Sequence, residues 1–312
     1  MANGARKVAV IGAGNVGATC AFVLAERKVG KVVLLDIYEG FAKGKALDMS
    51  QGGTVLNYDG RVTGTKDYHD IADSDVIVVT SGFPRQPGMT REDLIGKNAD
   101  IITQVGEGIK QHAPNAIIVM VTNPLDLMTY HMQKTTGFAH NRVVGQAGIL
   151  DSARMTHFIA DAVGCSNEDV QAMVLGGHGD TMVPLPRYTT VNGIPISQLL
   201  SEERIGEICN RTAAGGGEIV KLLEKGSAFY APGSAAAIMA ESILFDRRRV
   251  LPCSAYLTGE YGMDDIYIGV PVVLGMNGVE RIIDLELTET ELASLQESGE
   301  FYKMQLNSIL GY

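Results

Sequence analysis

One histidine of the 312-residue chain stands in a setting suited to proton transfer. His178 lies in the segment Gly176-Gly-His-Gly-Asp180, directly after a stretch that we predict to be a buried strand. An imidazole titrates close to neutral pH, so it can take up and release a proton during a reaction. The flanking glycines leave room for a substrate and a cofactor beside the ring. The motif alone leaves open the alternative that His178 is a structural residue.

A carboxylate and an arginine occur close together in the segment Leu150-Asp-Ser-Ala-Arg154. If this segment is helical, Asp151 and Arg154 share one face, because residues three apart are neighbours on a helix. A carboxylate and a guanidinium placed side by side in this way form a second candidate element of an active site. An intrahelical ion pair with no part in chemistry remains the alternative.

Two further segments carry polar side chains after predicted strands. Residues 82–92 contain Arg85 and Arg91 among glycines and prolines, and we predict that they form a mobile active-site loop. Residues 121–126 contain Asn123-Pro124, where a cis peptide bond is expected. Loops at the carboxyl ends of parallel strands surround the ligand crevice in doubly wound sheets. A generic surface loop and an ordinary turn are the respective alternatives.

The segment Gly12-Ala-Gly-Asn-Val-Gly17 has the GxGxxG spacing of dinucleotide-binding loops. Its glycines permit a tight turn, close approach of the backbone to a pyrophosphate, and close packing of helix on strand. Asp36 follows 19 residues after Gly17, where a carboxylate binds the ribose hydroxyls of NAD and repels the 2′-phosphate of NADP. We therefore predict NAD as the cofactor. The residues expected to hold it are Gly12, Ala13, Gly14, Asn15, Val16, Gly17 and Asp36.

The elements of the first half alternate between strands and helices. Short apolar, β-branched runs predict buried strands at Lys7–Ile11, Lys31–Leu35, 75–80 and 116–121. Helical spacing of apolar residues predicts helices at 16–28 and 91–110. This alternation is typical of an α/β protein with a doubly wound parallel sheet. We expect residues 1–147 to form an N-terminal Rossmann domain that includes the active-site loop.

The second half of the chain has a different pattern of predicted elements. It predicts a helix at 152–163, a strand at 170–175, and a hairpin at 189–196 around Asn192-Gly193. Thr288 and Glu291 have capping-box spacing, which predicts an amphipathic C-terminal helix. We expect residues 148–312 to form a C-terminal α+β substrate and catalytic domain.

Composition narrows the classes of protein to consider. The net charge of −10 gives no basic excess for nucleic acid, so an anionic substrate must be bound by a few local arginines. The four cysteines are far apart and no Cys/His set has metal-ligand spacing, so we expect neither a disulfide framework nor a metal site. No secretory signal or membrane-spanning run is visible. We expect a cytoplasmic protein.

Taken together, these motifs resemble the lactate/malate dehydrogenase family over nearly the whole chain. The matching segments, in family order, are GAGNVG, Asp36, PRQPGMTRED, TNPLD, GILDSAR and GGHGD. The resemblance implies that His178 accepts and donates the proton, Asp151 holds His178, and Arg154 binds the substrate's C1 carboxylate. It implies that Arg91 polarises the reacting carbonyl and that Asn123 contacts substrate and cofactor. The other implied cofactor contacts are Asn98, Val121 and Thr122, and the implied assembly is a homodimer or homotetramer.

Arg85 bears on the choice of substrate. The resemblance implies that Arg85 faces the variable end of the substrate, at a position where lactate-type enzymes carry an uncharged residue. An arginine enclosed beside a methyl group would be an unpaired buried charge, whereas beside a second carboxylate it forms a charge-assisted pair. We therefore expect NAD-dependent interconversion of malate and oxaloacetate. The alternatives are a lactate or other 2-hydroxy acid dehydrogenase, an NAD-requiring glycosidase, and a non-catalytic NAD sensor.

Overall fold

The computed structural model describes residues 6–83 and 91–312, with the Arg91 side chain outside the described part. Arg85 therefore lies outside the described residues. The first strands are β1 Lys7–Ile11, β2 Lys31–Leu35, β3 Val62–Thr65, β4 Val76–Val79, β5 Ile117–Met120, β6 Val143–Gly145 and β7 Val170–Gln171. They are followed by β8 Val174–Gly176, β9 Met182–Pro184, β10 Thr190–Val191, β11 Ile194–Pro195, β12 Arg249–Thr258, β13 Asp264–Gly275 and β14 Gly278–Ile282. The helices are α1 Asn15–Glu26, α2 Glu39–Leu56, α3 Arg91–His112, α4 Leu125–Thr136, α5 Gly148–Val163, α6 Glu202–Leu223, α7 Tyr230–Leu244 and α8 Glu289–Gln305.

The first half of the chain forms a parallel sheet with strand order β3-β2-β1-β4-β5-β6. This is the order of doubly wound dinucleotide-binding folds, and it confirms the predicted fold class. Strands β4 and β5 are buried along their whole length because helices cover both faces of such a sheet. Their carboxyl ends therefore meet at one edge, where the segments with predicted chemistry begin.

The sheet continues into the second half through antiparallel strands. Strand β6 pairs with β12, β12 with β13, and β13 with β8, so the order runs on as β6-β12-β13-β8-β9. The junction between β6 and β12 is short, with the single pair Gly145 and Ser254. This continuation brings the segment after β8, which carries His178, beside the carboxyl ends of the parallel strands.

Several predicted elements differ in extent from those observed. Helix α5 begins at Gly148 rather than at 152, so Asp151 lies in its first turn. The predicted strand at 170–175 is wrong as one element: β7 belongs to a small three-stranded sheet and β8 to the large one. The hairpin is confirmed, with Asn192 and Gly193 both at positive φ. The capping box of Thr288 and Glu291 is also confirmed at the start of α8.

Candidate active site

Three predicted residues form one connected group. The Nδ1 atom of His178 lies 2.9 Å from Oδ2 of Asp151, and Nη1 of Arg154 lies 3.1 Å from Oδ1 of the same carboxylate. Asp151 is 1% exposed, so both oxygens face protein groups. With Nδ1 held by Asp151, Nε2 is the ring nitrogen that remains for a substrate. Asp151 therefore orients the imidazole and the guanidinium at once.

The pKa of His178 is raised above its ordinary value. Burial disfavours the charged ring and acts in the opposite direction. The charge of Asp151, its hydrogen bond to Nδ1 and the charge of Asp126 outweigh both burial and the repulsion from Arg154. The predicted effect of Asp151 on the ring, a raised pKa, is thus found.

The two glycines beside His178 serve different purposes. Gly179 lines the cavity in front of the ring, as expected for a residue that leaves room for ligands. Gly177 instead packs against α8, where an added Cβ would overlap the ring of Tyr302. Its backbone N–H also donates to the buried Ser298 hydroxyl at 2.9 Å. Glycine at 177 is therefore required by packing and not by access to the substrate.

A cavity of about 360 Å³ lies in front of His178. Of the predicted site residues, Val16, Val121, Asn123, Arg154 and His178 line it. The cavity is thus bounded by the start of α1, the ends of β5 and β8, and α5. The other lining residues are Gln146, Leu150, Gly179, Asp180, Met182, Ala213, Gly216, Gly217, Val220, Ser227, Ala228 and Pro232. The Gly12–Gly17 loop, the Asn-Pro turn and the histidine therefore meet at one place.

Arg154 is arranged to bind an anion. Its Nε atom is buried and has no hydrogen-bond partner within residues 6–83 and 91–312. A buried donor without a partner costs free energy, and a substrate carboxylate is an acceptor that satisfies it. The side chain runs along α6, where a Cβ added to Gly215 would lie 3.0 Å from Cδ of Arg154 and one added to Gly216 would lie 3.5 Å from Nη2. The glycines of α6 thus give Arg154 the space it occupies.

Gly215→Ala is expected to raise the KM for a carboxylate substrate by about 5-fold, the equivalent of about 1 kcal/mol of binding. The added methyl displaces the Arg154 side chain by a few tenths of an ångström. Steady-state kinetics measure the effect. Gly206→Ala is the matched control, because Gly206 is exposed on the same helix and a Cβ there meets no atom within 4 Å.

Both alanines replace a glycine inside a helix and gain about 1 kcal/mol of helix propensity. The control should therefore raise the melting temperature and leave KM unchanged. Equal KM values for Gly215→Ala, Gly206→Ala and the native chain would show that Gly215 does not shape the arginine site.

The Gly12–Gly17 loop fits a dinucleotide. A Cβ at Gly17 would overlap the carbonyl oxygen of Gly12, whereas one at Gly14 meets no described atom within 4 Å. The backbone at Gly14 is therefore open to a pyrophosphate at the start of α1. Oδ2 of Asp36 accepts a hydrogen bond from the Ala13 N–H at 2.7 Å, and Oδ1 accepts one from the Tyr38 N–H at 3.0 Å. This carboxylate is fixed at the end of β2, where an adenosine ribose binds in such folds.

The Asn-Pro turn is held by a buried asparagine. The Asn123-Pro124 peptide bond is cis, as predicted. Asn98 donates from Nδ2 to the Asn123 carbonyl at 2.7 Å and accepts at Oδ1 from the Phe83 N–H at 2.6 Å. Thr122 donates to the Ser81 carbonyl at 2.6 Å. Asn98 and Thr122 therefore fix the backbone of the Asn-Pro turn, whose Asn123 lines the cavity.

The predicted loop is described only at its two ends. Arg91 is the first residue of α3, and its side chain lies outside the described part, so its predicted role stays a prediction. Within the described residues, no group of three or more His, Cys, Asp or Glu side chains is arranged to hold a metal ion. In the same part of the chain, no helix is both long enough and apolar enough to cross a membrane.

Two residues of the site have no role in the expectations from sequence. Asp126 is 1% exposed and accepts a hydrogen bond from the backbone N–H of His178 at 2.8 Å. Gly215 packs on Arg154. Three consecutive glycines within a helix are a sequence signal for such a close contact, because each glycine weakens the helix by about 1 kcal/mol and its presence requires a reason. For Asp126 the sequence offers only its place in the TNPLD segment.

Comparisons with known proteins agree with this geometry. Residues 6–145 match the family model of the lactate/malate dehydrogenase NAD binding domain. Residues 149–311 match that of the lactate/malate dehydrogenase alpha/beta C-terminal domain. Among curated proteins, malate dehydrogenase 1 of Anaeromyxobacter dehalogenans is 56% identical over 96% of this chain and 96% of its own length.

Two solved structures from one organism are similar to this chain to nearly the same degree. Malate dehydrogenase of Cryptosporidium parvum has a TM-score of 0.95 and 40% identity, covering 98% of this chain and 99% of its own. Lactate dehydrogenase of the same organism, complexed with lactic acid and nicotinamide adenine dinucleotide, has a TM-score of 0.93 and 42% identity, covering 99% and 98%. Overall shape therefore does not separate the two substrates, and the substrate must be argued from particular residues.

Proposed function

The chain belongs to the lactate/malate dehydrogenase family, and from that premise we propose that it interconverts malate and oxaloacetate with NAD as cofactor. The observation that carries the proposal is the hydrogen-bonded group of His178, Asp151 and Arg154 at the wall of a cavity that the Gly12–Gly17 loop also reaches. A protein that only sensed NAD would have no need for this arrangement. An NAD-requiring glycosidase would need a metal site, for which the sequence shows no ligand set.

The proposed mechanism divides the work among a few side chains. The Gly12–Gly17 loop and Asp36 would hold NAD, which when bound would supply the hydride acceptor for malate oxidation and, as NADH, the hydride donor for oxaloacetate reduction. In oxidation, Nε2 of neutral His178 takes the hydroxyl proton, and in reduction the protonated ring gives it back. Arg154 binds the C1 carboxylate, and Asp151 fixes the orientation of the His178 and Arg154 side chains. Arg91 polarises the reacting carbonyl, an electrostatic contribution of about 3 kcal/mol.

The substrate assignment rests on Arg85 and on the relatives' names. The relative from Anaeromyxobacter dehalogenans, at 56% identity, is a malate dehydrogenase by name. Arg85 supplies a cation for the second carboxylate of a dicarboxylate, which lactate and pyruvate lack. A lactate dehydrogenase is the second candidate, because the Cryptosporidium parvum enzyme of that name is as similar in shape.

The test is NADH oxidation by the purified chain with oxaloacetate and, separately, with pyruvate. We expect kcat/KM for oxaloacetate to exceed that for pyruvate by on the order of 10³-fold. A preference for pyruvate would leave the dehydrogenase assignment intact and show that a lactate-type residue faces the substrate. Absence of turnover with either substrate would contradict the proposal.

The two halves of the chain divide the function in this proposal. Residues 1–147 hold NAD through the Gly12–Gly17 loop and Asp36, and they include the active-site loop 82–92. Residues 148–312 supply Asp151, Arg154 and His178. The cavity between them is lined from both halves, by Val16 and Asn123 on one side and by Arg154 and His178 on the other. In this proposal, hydride transfer and proton transfer therefore both take place at the boundary between the two halves.

We also propose that the chain assembles as a homodimer or homotetramer. Apolar side chains are exposed on α2 and α7: Val55 is 78% exposed, Tyr230 72% and Leu47 61%. A groove lined by Phe22, Met49 and Tyr230 runs between α1, α2 and α7. Large exposed apolar patches mark association surfaces. Light scattering of the purified chain measures the oligomeric mass, and a monomeric mass would contradict this assignment.

A further inference from the structure

A second buried carboxylate lies behind the histidine, apart from Asp151. Asp126 stands in the first turn of α4 and is 1% exposed. Its Oδ2 accepts the backbone N–H of His178 at 2.8 Å, and its Oδ1 accepts the hydroxyl of the fully buried Ser254 at 2.7 Å. Asp126 does not line the cavity within the described residues. It therefore joins three elements, α4, β12 and the loop after β8, without reaching the substrate.

The charge of Asp126 is not needed for these hydrogen bonds. An asparagine has the same shape and could accept from the backbone N–H while its amide group pairs with the serine hydroxyl. Burial of a carboxylate costs free energy, and burial raises the pKa of Asp126 to about 6 against the lowering effect of the hydrogen bonds from Ser254 and the His178 backbone and of the His178 charge. Since a neutral side chain would avoid this cost, the negative charge requires a separate reason.

The charged groups around His178 supply that reason. Helix α5 presents Asp151 and Arg154 to the ring, and these act in opposite directions on the protonated form. Helix α4 presents Asp126, which favours the protonated form together with Asp151. From α8 the Tyr302 hydroxyl contacts the His178 carbonyl at 3.4 Å. In the same loop as His178, Asp180 is exposed at the mouth of the cavity. Asp126 therefore adds to the attraction of Asp151 and helps to offset the repulsion between Arg154 and a protonated ring.

We propose that Asp126 is a positioning residue for His178, which fixes the backbone of the catalytic loop and supplies a second negative charge that holds the ring protonated beside Arg154. The inference rests on the proposed function only in that His178 is the proton donor and acceptor. Its structural part, the link from α4 through the His178 N–H to β12, stands on the hydrogen bonds alone. Its electrostatic part, the effect of the Asp126 charge, can be measured as the pKa of the His178 ring without enzymatic turnover.

The test is the titration of His178 in the native chain and in Asp126→Asn, followed by NMR of the ¹⁵N-labelled histidine rings. We expect the pKa of His178 to fall by about 0.5 to 1 unit in the variant, because one of its two favourable charges is lost. In kinetics, the pH above which oxaloacetate reduction declines should move down by the same amount. At pH values well below this limit, the variant and the native chain should have similar kcat.

Two further variants separate charge from hydrogen bonding. Asp126→Ala removes both, so it should lower the melting temperature as well as the pKa of His178. Ser254→Ala removes the hydrogen bond that stabilises the ionised carboxylate, so it should shift the pKa of His178 in the same direction by less. Ser254→Ala also serves as the test if Asp126→Asn does not fold. An unchanged pKa of His178 in Asp126→Asn and Ser254→Ala would overturn the proposal, whether or not the native chain turns over oxaloacetate.

Discussion

Asp151→Asn is expected to lower kcat for oxaloacetate reduction by on the order of 10²- to 10³-fold. The native carboxylate accepts hydrogen bonds on both oxygens, from Nδ1 of His178 and from Nη1 of Arg154. An amide has only one oxygen, so one of these two donors must face an NH₂ group. If that donor is His178, the ring takes the opposite tautomer and presents N–H at Nε2, which cannot accept the proton of malate. If it is Arg154, the guanidinium loses its orientation.

The variant also loses the largest attractive charge at the ring. The pKa of His178 should fall, so the protonated form needed for reduction is depleted at a lower pH than in the native chain. Malate oxidation needs the neutral ring and should suffer less from this effect at neutral pH, although the tautomer change slows both directions. Initial rates in both directions between pH 5 and 9 measure these effects. Asp161→Asn, an exposed change on the same helix, is the control. Near-native reduction by Asp151→Asn would contradict the pairing.

The Rossmann half was predictable because its signals are local. Strands β1 and β2 were predicted at their observed bounds, since each is an uninterrupted apolar run that ends at a glycine or a charged residue. The turn chemistry of Asn192-Gly193 likewise fixed its hairpin from two residues. The sequence predicts one strand over 170–175 because five of these six residues are apolar. The chain changes sheets at Ala172 and Met173, and which sheet a strand joins depends on partners far away in sequence.

The same distinction holds for the active site. His178, Asp151 and Arg154 were predicted because their motifs are compact, and the structure brings them within hydrogen-bond distance. The role of Asp126 depends on His178, 52 residues away, and on Ser254, 128 residues away. No local pattern carries that information, because β6, β12, β13 and β8 must first assemble. The sequence predicts that the glycine before His178 leaves room for ligands, whereas in the structure it makes room for the ring of Tyr302.

Arg85→Gln is expected to lower kcat/KM for oxaloacetate by on the order of 10³-fold and to raise it for pyruvate. Under the proposed function, the interaction lost is a charge-assisted pair with the second carboxylate of the dicarboxylate substrate. The cost removed is that of an unpaired arginine beside the methyl group of pyruvate, on the order of several kcal/mol. Glutamine is polar but uncharged and shorter than arginine, so the variant removes the cation and also leaves more space at the variable end of the substrate. Steady-state kinetics with both substrates at saturating NADH measure the ratio.

The neighbouring residue provides the matched control. Arg85 and Gln86 are adjacent, so a shift of one residue in the alignment would place glutamine opposite the substrate. Gln86→Ala should leave the ratio of oxaloacetate to pyruvate activity unchanged if Arg85 is the specificity residue. If Gln86→Ala alters that ratio and Arg85→Gln does not, the loop is shifted by one position and the cation for the second carboxylate must come from another residue. In the proposed mechanism Arg154 and His178 bind groups common to both substrates, so their part in that mechanism holds under either result.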